Sequence, residues 1–189
     1  VLSAVGLVSV RIFGCTHPDT DAYAETLGYA LQFTNILRDV VEDYHEMGRI
    51  YLPKDEMKAF GVSAEDLADP TGNPACQRLF HLQYFRCQHF FNKARRLLPA
   101  SERQNLKAAL IMGAFYEDIL GEIAKRNFQL SRTRIRLSKA RKACLLLRTV
   151  RALRKPLPPR HAPATVSIWV IEIITSAPVL WTSVAQPTT

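Results

Sequence analysis

Residues 19–47 restrict this chain more than any other stretch. Read at 3.6 residues per turn, Tyr23, Leu27, Ala30, Phe33, Ile36, Leu37, Val40, Val41 and Tyr44 spread around most of the helix circumference. A helix apolar on so many sides belongs inside a helical assembly. Yet Gln32, Asn35, Asp39 and Asp43 fall in one narrow arc, the last three spaced i, i+4, i+8. Glu42 and Glu46 flank the arc, and Arg38 lies at its edge. Carboxylates on a buried face cost several kcal/mol each unless they are paired or bound to a metal. No lysine falls on the stripe, and a carboxamide with two carboxylates is a hard oxygen set of the kind that suits Mg²⁺. A solvated polar face on an amphipathic helix is the competing reading. Gly28, one turn before Gln32, leaves room for a group to approach.

The sequence around this arc, LGYALQFTNILRDVVEDYHEMGRIYLPKDEM, resembles the second aspartate-rich motif of the squalene/phytoene synthase family. Its core Q-x-x-N-x-x-x-D-x-x-x-D is followed by G-R-I-Y-L-P without a gap. VGLVSVRIFG upstream and AFYEDILGEIAKRNFQLSRTRIRLSKARK downstream resemble the helices on either side of that motif. The nearest flavour is that of the bacterial presqualene diphosphate synthases. Val41 stands where many relatives carry Gly, and it faces away from the stripe. The resemblance implies an all-α fold with helices around a central apolar cavity. It also implies a Mg²⁺-dependent, head-to-head condensation of two prenyl diphosphates, with farnesyl diphosphate the expected substrate and geranylgeranyl diphosphate the alternative. Asn35, Asp39 and Asp43 would be the metal-side groups. Gln32, Arg38, Arg49, Tyr51 and Arg134 would bind substrate, and Tyr116 would act beside Asp39 and Asp43 in catalysis. Arg49 could equally pair with Glu46. No Gly-rich dinucleotide loop occurs, and no NADPH-dependent step is expected.

The family carries two aspartate-rich motifs on facing helices, and this chain holds the second. VLSAVGLVSV opens inside an apolar helical run with no cap or lead-in, so a truncated C-terminal part is expected, inactive by itself. Residues 1–155 are assigned to that part. Residues 156–189 begin Pro-rich and turn apolar, with Glu172 and Pro178 interrupting a run too short to span a membrane. They are expected to be a non-family tail without stable order. A family relative that has become a non-catalytic assembly or scaffold protein is the alternative. Retention of Gln32, Asn35, Asp39 and Asp43 argues against it.

Net charge is +8, from 25 Lys and Arg against 17 Asp and Glu, and it is unevenly placed. Residues 125–160 carry thirteen of the basic residues and no acid. Residues 138–153 read as a basic amphipathic helix, suited to peripheral contact with an anionic membrane surface or simply to solvent. The charge alone would fit nucleic acid, but no base-stacking platform accompanies it, so no nucleic-acid partner is expected. Cys15, Cys76, Cys87 and Cys144 lack metal-site spacing and are expected as buried free thiols of a cytoplasmic protein. His81 and His89 share a helix face but lack further ligands for zinc.

Further elements follow from capping signals. Residues 1–14 read as a buried helix ending at Gly14, and Thr16 or Asp19 as the cap of the next. Ser63 with Asp66 forms a capping box, and Asn73-Pro74 opens a helix over 74–98. Its Phe80, Tyr84, Phe85, Cys87 and Phe91 suit either a core or a tunnel wall. Ser101 is placed as the cap of a helix running to about 127.

Overall fold

The computed structural model describes residues 2–154, and within them every regular element is helical. The order is α1 (Leu2–Ile12), α2 (Asp19–Met47), α3 (Lys54–Phe60), α4 (Pro74–Leu97), α5 (Lys107–Lys125) and α6 (Lys139–Leu153), with 3-10 turns at Glu65–Leu67 and Ala100–Glu102. The expectations for 156–189 lie outside the described residues.

α2 is the axis of the packing. α1, α4 and α5 all lie against it, and α6 lies on α5. The breadth of its apolar surface explains this: Tyr23, Leu27, Ala30, Leu31, Leu37, Val40 and Val41 are all buried. Leu37 and Val41 join Leu79, Phe80, Leu106 and Ile123 among the fully enclosed side chains. Each such side chain contributes about 1.5–3 kcal/mol relative to exposure. α2 stops where Gly48 takes φ 60°, a left-handed conformation that glycine adopts without a Cβ penalty.

Two caps form as their sequence signals require. Ser63 N–H donates to Asp66 Oδ2 at 2.8 Å while Asp66 N–H donates to Ser63 Oγ at 3.2 Å. Asn73 Oδ1 accepts from Ala75 and Cys76 N–H at 2.9 and 3.3 Å, with Pro74 opening α4. Phe80, Cys87 and Phe91 are core residues, whereas Phe85 is exposed.

Four local expectations are corrected. α1 is not enclosed: Val5, Val8 and Ile12 are 54, 60 and 76% exposed, while α2 is its main packing partner. Neither Thr16 nor Asp19 caps α2; instead His17 Nδ1 accepts from Asp19 N–H at 3.2 Å. α5 begins at Lys107, not near Ser101. The cause is Glu102, whose Oε1 accepts from Thr16 and His17 N–H, both at 2.9 Å, and whose Oε2 accepts from Asn105 Nδ2 at 2.8 Å. A carboxylate committed to a distant loop and to its own turn favours the 3-10 geometry seen there. Of the cysteines, Cys15, Cys76 and Cys87 are buried free thiols, but Cys144 is exposed on α6.

Candidate active site

The polar arc of α2 is half-buried to buried, and the apolar remainder of the helix fixes its direction. Asp39 is at its centre and is 9% exposed. Arg38 grips it with two parallel hydrogen bonds: Nε donates to Oδ1 and Nη2 to Oδ2, each at 2.6 Å. The same Nη2 donates to Asn35 Oδ1 at 2.8 Å. Charge-assisted paired bonds of this kind are among the strongest in proteins.

A second cation arrives from far along the chain. Residues 129–138 run between α5 and α6 without regular structure, bending at 132 and 133, with Leu130 and Ile135 buried. Arg134, next to the buried Ile135, reaches across to α2, and its Nη2 donates to Asp39 Oδ2 at 2.8 Å. Its Nε lies 3.6 Å from Glu42 Oε2. Arg132 donates to His45 Nδ1 at 2.8 Å, while His45 Nε2 donates to Ala68 O at 2.8 Å. α5 contributes Tyr116, whose ring centroid is 5.9 Å from Arg38 Cζ, within cation–π range.

Electrostatics divide the arc. Burial pulls the Arg38 pKa down, but its bonds to Asp39, the charge of Asp39 and the neighbouring Tyr116 more than offset this, so it ends above its ordinary value. Asp43 moves the other way for an acid. Burial first, then the like charges of Asp39 and Glu42, push its carboxyl above the usual range, against the weaker opposing pull of Arg134 and Arg38. Asp43 therefore holds its proton more tightly than an ordinary aspartate does.

The structure brings together Asn35, Arg38, Asp39, Arg134 and Tyr116, with Asp43 one turn on. Gln32 is half-buried on the same helix face. Arg49 and Tyr51 stand apart: both are exposed, and Arg49 Nη1 is 3.5 Å from the Tyr51 hydroxyl, so Arg49 meets Tyr51 and not Glu46. The countercharge for Asp39 comes from two arginines, a solution the helical period of α2 alone does not reveal. Arg132 and His45, 87 positions apart, carry no local sequence signal that would pair them.

Among the described residues no three His, Cys, Asp or Glu side chains converge as a self-sufficient metal cage, and the zinc reading of His81 and His89 has no support. His81 packs instead against Phe85 and Phe128. Mg²⁺ needs no full cage, since it binds through one or two carboxylates and completes its shell with water and phosphate oxygens. Asn35, Asp39 and Asp43, at helical spacing on α2, are an oxygen donor set that fits that requirement.

The sequence profile of the squalene/phytoene synthase family matches residues 1–141. This chain belongs to the squalene/phytoene synthase family. It is 38% identical over 151 residues to a presqualene diphosphate synthase of Rhodopseudomonas palustris, covering 78% of this chain and 52% of the relative. A phytoene synthase of Mycobacterium tuberculosis is 37% identical over 144 residues, covering 74% and 47%. Among solved structures, a dehydrosqualene synthase bound to a ligand superposes with a TM-score of 0.58 at 31% identity, covering 71% of this chain and 47% of that one. A squalene synthase from Alicyclobacillus acidocaldarius superposes with a TM-score of 0.59 at 26% identity, covering 69% and 49%. The all-α class expected from the sequence is thus the family's fold. The chain spans about half the length of the curated relatives it matches.

Proposed function

We propose that this chain supplies one wall of a prenyltransferase site that joins two prenyl diphosphates, with farnesyl diphosphate the expected substrate, head to head. The observation that carries the reading is the convergence of Asp39, Arg38 and Arg134, two guanidiniums on one carboxylate with Asp43 one turn further along α2. Such a site is poised to exchange ions: a diphosphate can take the arginines, which frees Asp39 and Asn35 to join Asp43 on a divalent cation. When bound, Mg²⁺ supplies charge neutralisation for the departing diphosphate. NADPH has no role in this reading.

The chain's own groups then have distinct tasks. Arg38 and Arg134 hold and orient phosphate oxygens, with Gln32 further along the same face. Arg49 and Tyr51, at the outer end of the arc, meet substrate as it enters. The reaction breaks the C1–O bond of one substrate, and the second substrate's double bond attacks that C1. Ring closure releases a proton and leaves a cyclopropylcarbinyl diphosphate and inorganic diphosphate. The Tyr116 ring, already facing a guanidinium, can face a developing carbocation. Water must be kept from that cation. An apolar pocket of about 110 Å³ under α1, lined by Val10, Leu27, Gly28, Leu31 and Met112, offers part of the wall of the central cavity expected of the fold.

α6 suits peripheral contact with an anionic membrane. Leu146 and Leu147 are 41 and 57% exposed on a helix that also carries Lys139, Lys142 and Arg151 at the surface. Among the described residues no helix is long and apolar enough to cross a membrane.

The test is diphosphate release from farnesyl diphosphate with Mg²⁺. The 189-residue chain alone is expected to give none. A chimaera placing the N-terminal half of the Rhodopseudomonas palustris synthase ahead of Val1 is expected to turn over. Asp39→Asn or Asp43→Asn in the chimaera should cut the rate by about a hundredfold or more. A folded chimaera that neither turns over nor binds a farnesyl thiodiphosphate with Mg²⁺ by calorimetry would favour the scaffold reading.

A further inference from the structure

A row of hydrogen bonds holds the segment between α5 and α6 in place. Gly72 N–H donates to Gln129 Oε1 at 2.9 Å, and Thr71 Oγ1 donates to Leu130 O at 3.3 Å. Arg132 Nη2 donates to His45 Nδ1 and Arg134 Nη2 to Asp39 Oδ2, each at 2.8 Å. The segment therefore passes α2 in the opposite sense, with Arg132 at His45 and Arg134 further back at Asp39. His45 and Asp39 are separated by about 9 Å of helix rise, and two residues of chain reach about 7 Å, so the two arginine side chains cover the difference.

His45 is the post of this row. A guanidinium only donates, so Nδ1 must be the accepting nitrogen and the ring proton is left on Nε2. Nε2 donates it to the Ala68 carbonyl at 2.8 Å. The half-buried imidazole is thus fixed from both sides, in tautomer and in orientation. Between the buried Leu130 and Ile135 the chain crosses Ser131, Arg132 and Thr133, all exposed. Among the described contacts, Arg132 with His45 is the one that ties this crossing to α2 independently of Arg134.

We propose that His45 and Arg132 are positioning residues for Arg134: the hydrogen bonds from Ala68 through His45 to Arg132 set where the Arg134 guanidinium stands over α2. A diphosphate that draws Arg134 from Asp39 then moves a side chain and not the segment, because Leu130, Arg132 and Ile135 keep the backbone in place. A guanidinium held in this way gives up little freedom when it meets phosphate oxygens. That Arg134 meets a diphosphate rests on the proposed function; that His45 and Arg132 place it does not.

Two measurements on the 189-residue chain test these statements separately. In urea unfolding without ligand, Arg134→Gln should cost less in a His45→Ala background than in wild type, since a displaced Arg134 no longer serves Asp39. Additive losses overturn the proposal. The second measurement is calorimetric titration of inorganic diphosphate with Mg²⁺. His45→Ala and Arg132→Ala should each weaken binding about tenfold, and His45→Ala should add nothing in the Arg134→Gln background. His45→Asn restores the acceptor, with Oδ1 in the place of Nδ1, and should bind within about twofold of wild type. His45→Gln restores only the donor to Ala68 O and should bind as weakly as His45→Ala. A merely structural His45 would weaken binding equally with and without Arg134, or lose it in His45→Asn as in His45→Ala, and either result overturns the proposal. If the wild-type chain does not bind diphosphate, the active-site reading fails and the unfolding cycle still decides the positioning.

Discussion

Arg134 Nη2 donates a 2.8 Å hydrogen bond to Asp39 Oδ2 although the two residues are 95 positions apart. That bond fastens the segment after α5 onto the middle of α2. Arg38 holds the same carboxylate from the neighbouring position, with a side chain only 9% exposed. The two arginines are therefore not equivalent. Arg38→Gln leaves a largely buried carboxylate with one partner and should cost about 3 kcal/mol. Arg134→Gln removes a more exposed partner while Arg38 remains, and should cost about 1 kcal/mol. Urea unfolding of the two variants measures the difference, and equal losses would show that the two contacts matter alike.

Asp43 should make the chain less stable as it ionises. Its folded pKa is raised, so the folded chain holds the proton more tightly than the unfolded chain does. Stability contributed through this group is present at low pH and falls as pH rises from the ordinary carboxylate value through the raised one. Asp43→Asn is thus expected to melt higher than wild type at pH 7 and to match it near pH 3. Millimolar Mg²⁺ should raise the wild-type Tm and leave that of the variant unmoved. Thermal scans at the two pH values, with and without Mg²⁺, decide both points.

Glu102 has the opposite sign. Backbone N–H of Thr16, the Asn105 side chain and backbone N–H of His17 hold its pKa down to about 2, against an ordinary 4.5. Its contribution is complete above 4.5 and is lost as pH falls towards 2. Glu102→Gln should be less stable than wild type at pH 7, and the gap should close across that window. Chemical unfolding midpoints from pH 7 to pH 2 follow it. A gap that stayed constant would mean that the carboxylate charge is not what secures the loop before α2.

Gly6 allows α1 to lie close to α2. A Cβ at that position would meet Ala24 O at 3.1 Å, and a backbone oxygen within a buried helix cannot easily move aside. Gly6→Val should cost about 1–3 kcal/mol by forcing α1 away. Faster amide exchange in α1, with α4 unchanged, is the accompanying signature in hydrogen-exchange measurements.

Much of this was legible along the chain because the signals were local. Ser63 with Asp66, Asn73 with Pro74, and Gly48 each specify a helix boundary through bonds made within a few residues. The periodicity of α2 likewise identified both its breadth of burial and its polar arc. The misplaced start of α5 has a different origin. Ser101 offers a sound local cap, but Glu102 bonds to Thr16 and His17, partners with no signature near position 102. α1 reads as enclosed because its composition is apolar, whereas burial depends on which neighbours reach it.

The sequence alone determined that the chain is helical, that α2 is its axis, and that Gln32, Asn35, Asp39 and Asp43 share a face, since each follows from a 3.6-residue period and from side chains adjacent in the chain. Only the tertiary structure decided how Asp39 is neutralised. Coulomb attraction depends on distance in space, and Arg134 reaches Asp39 only once α5 has packed on α2 and the segment after it has buried Ile135. The same packing set Tyr116 beside Arg38 and left Arg49 with Tyr51 at the surface.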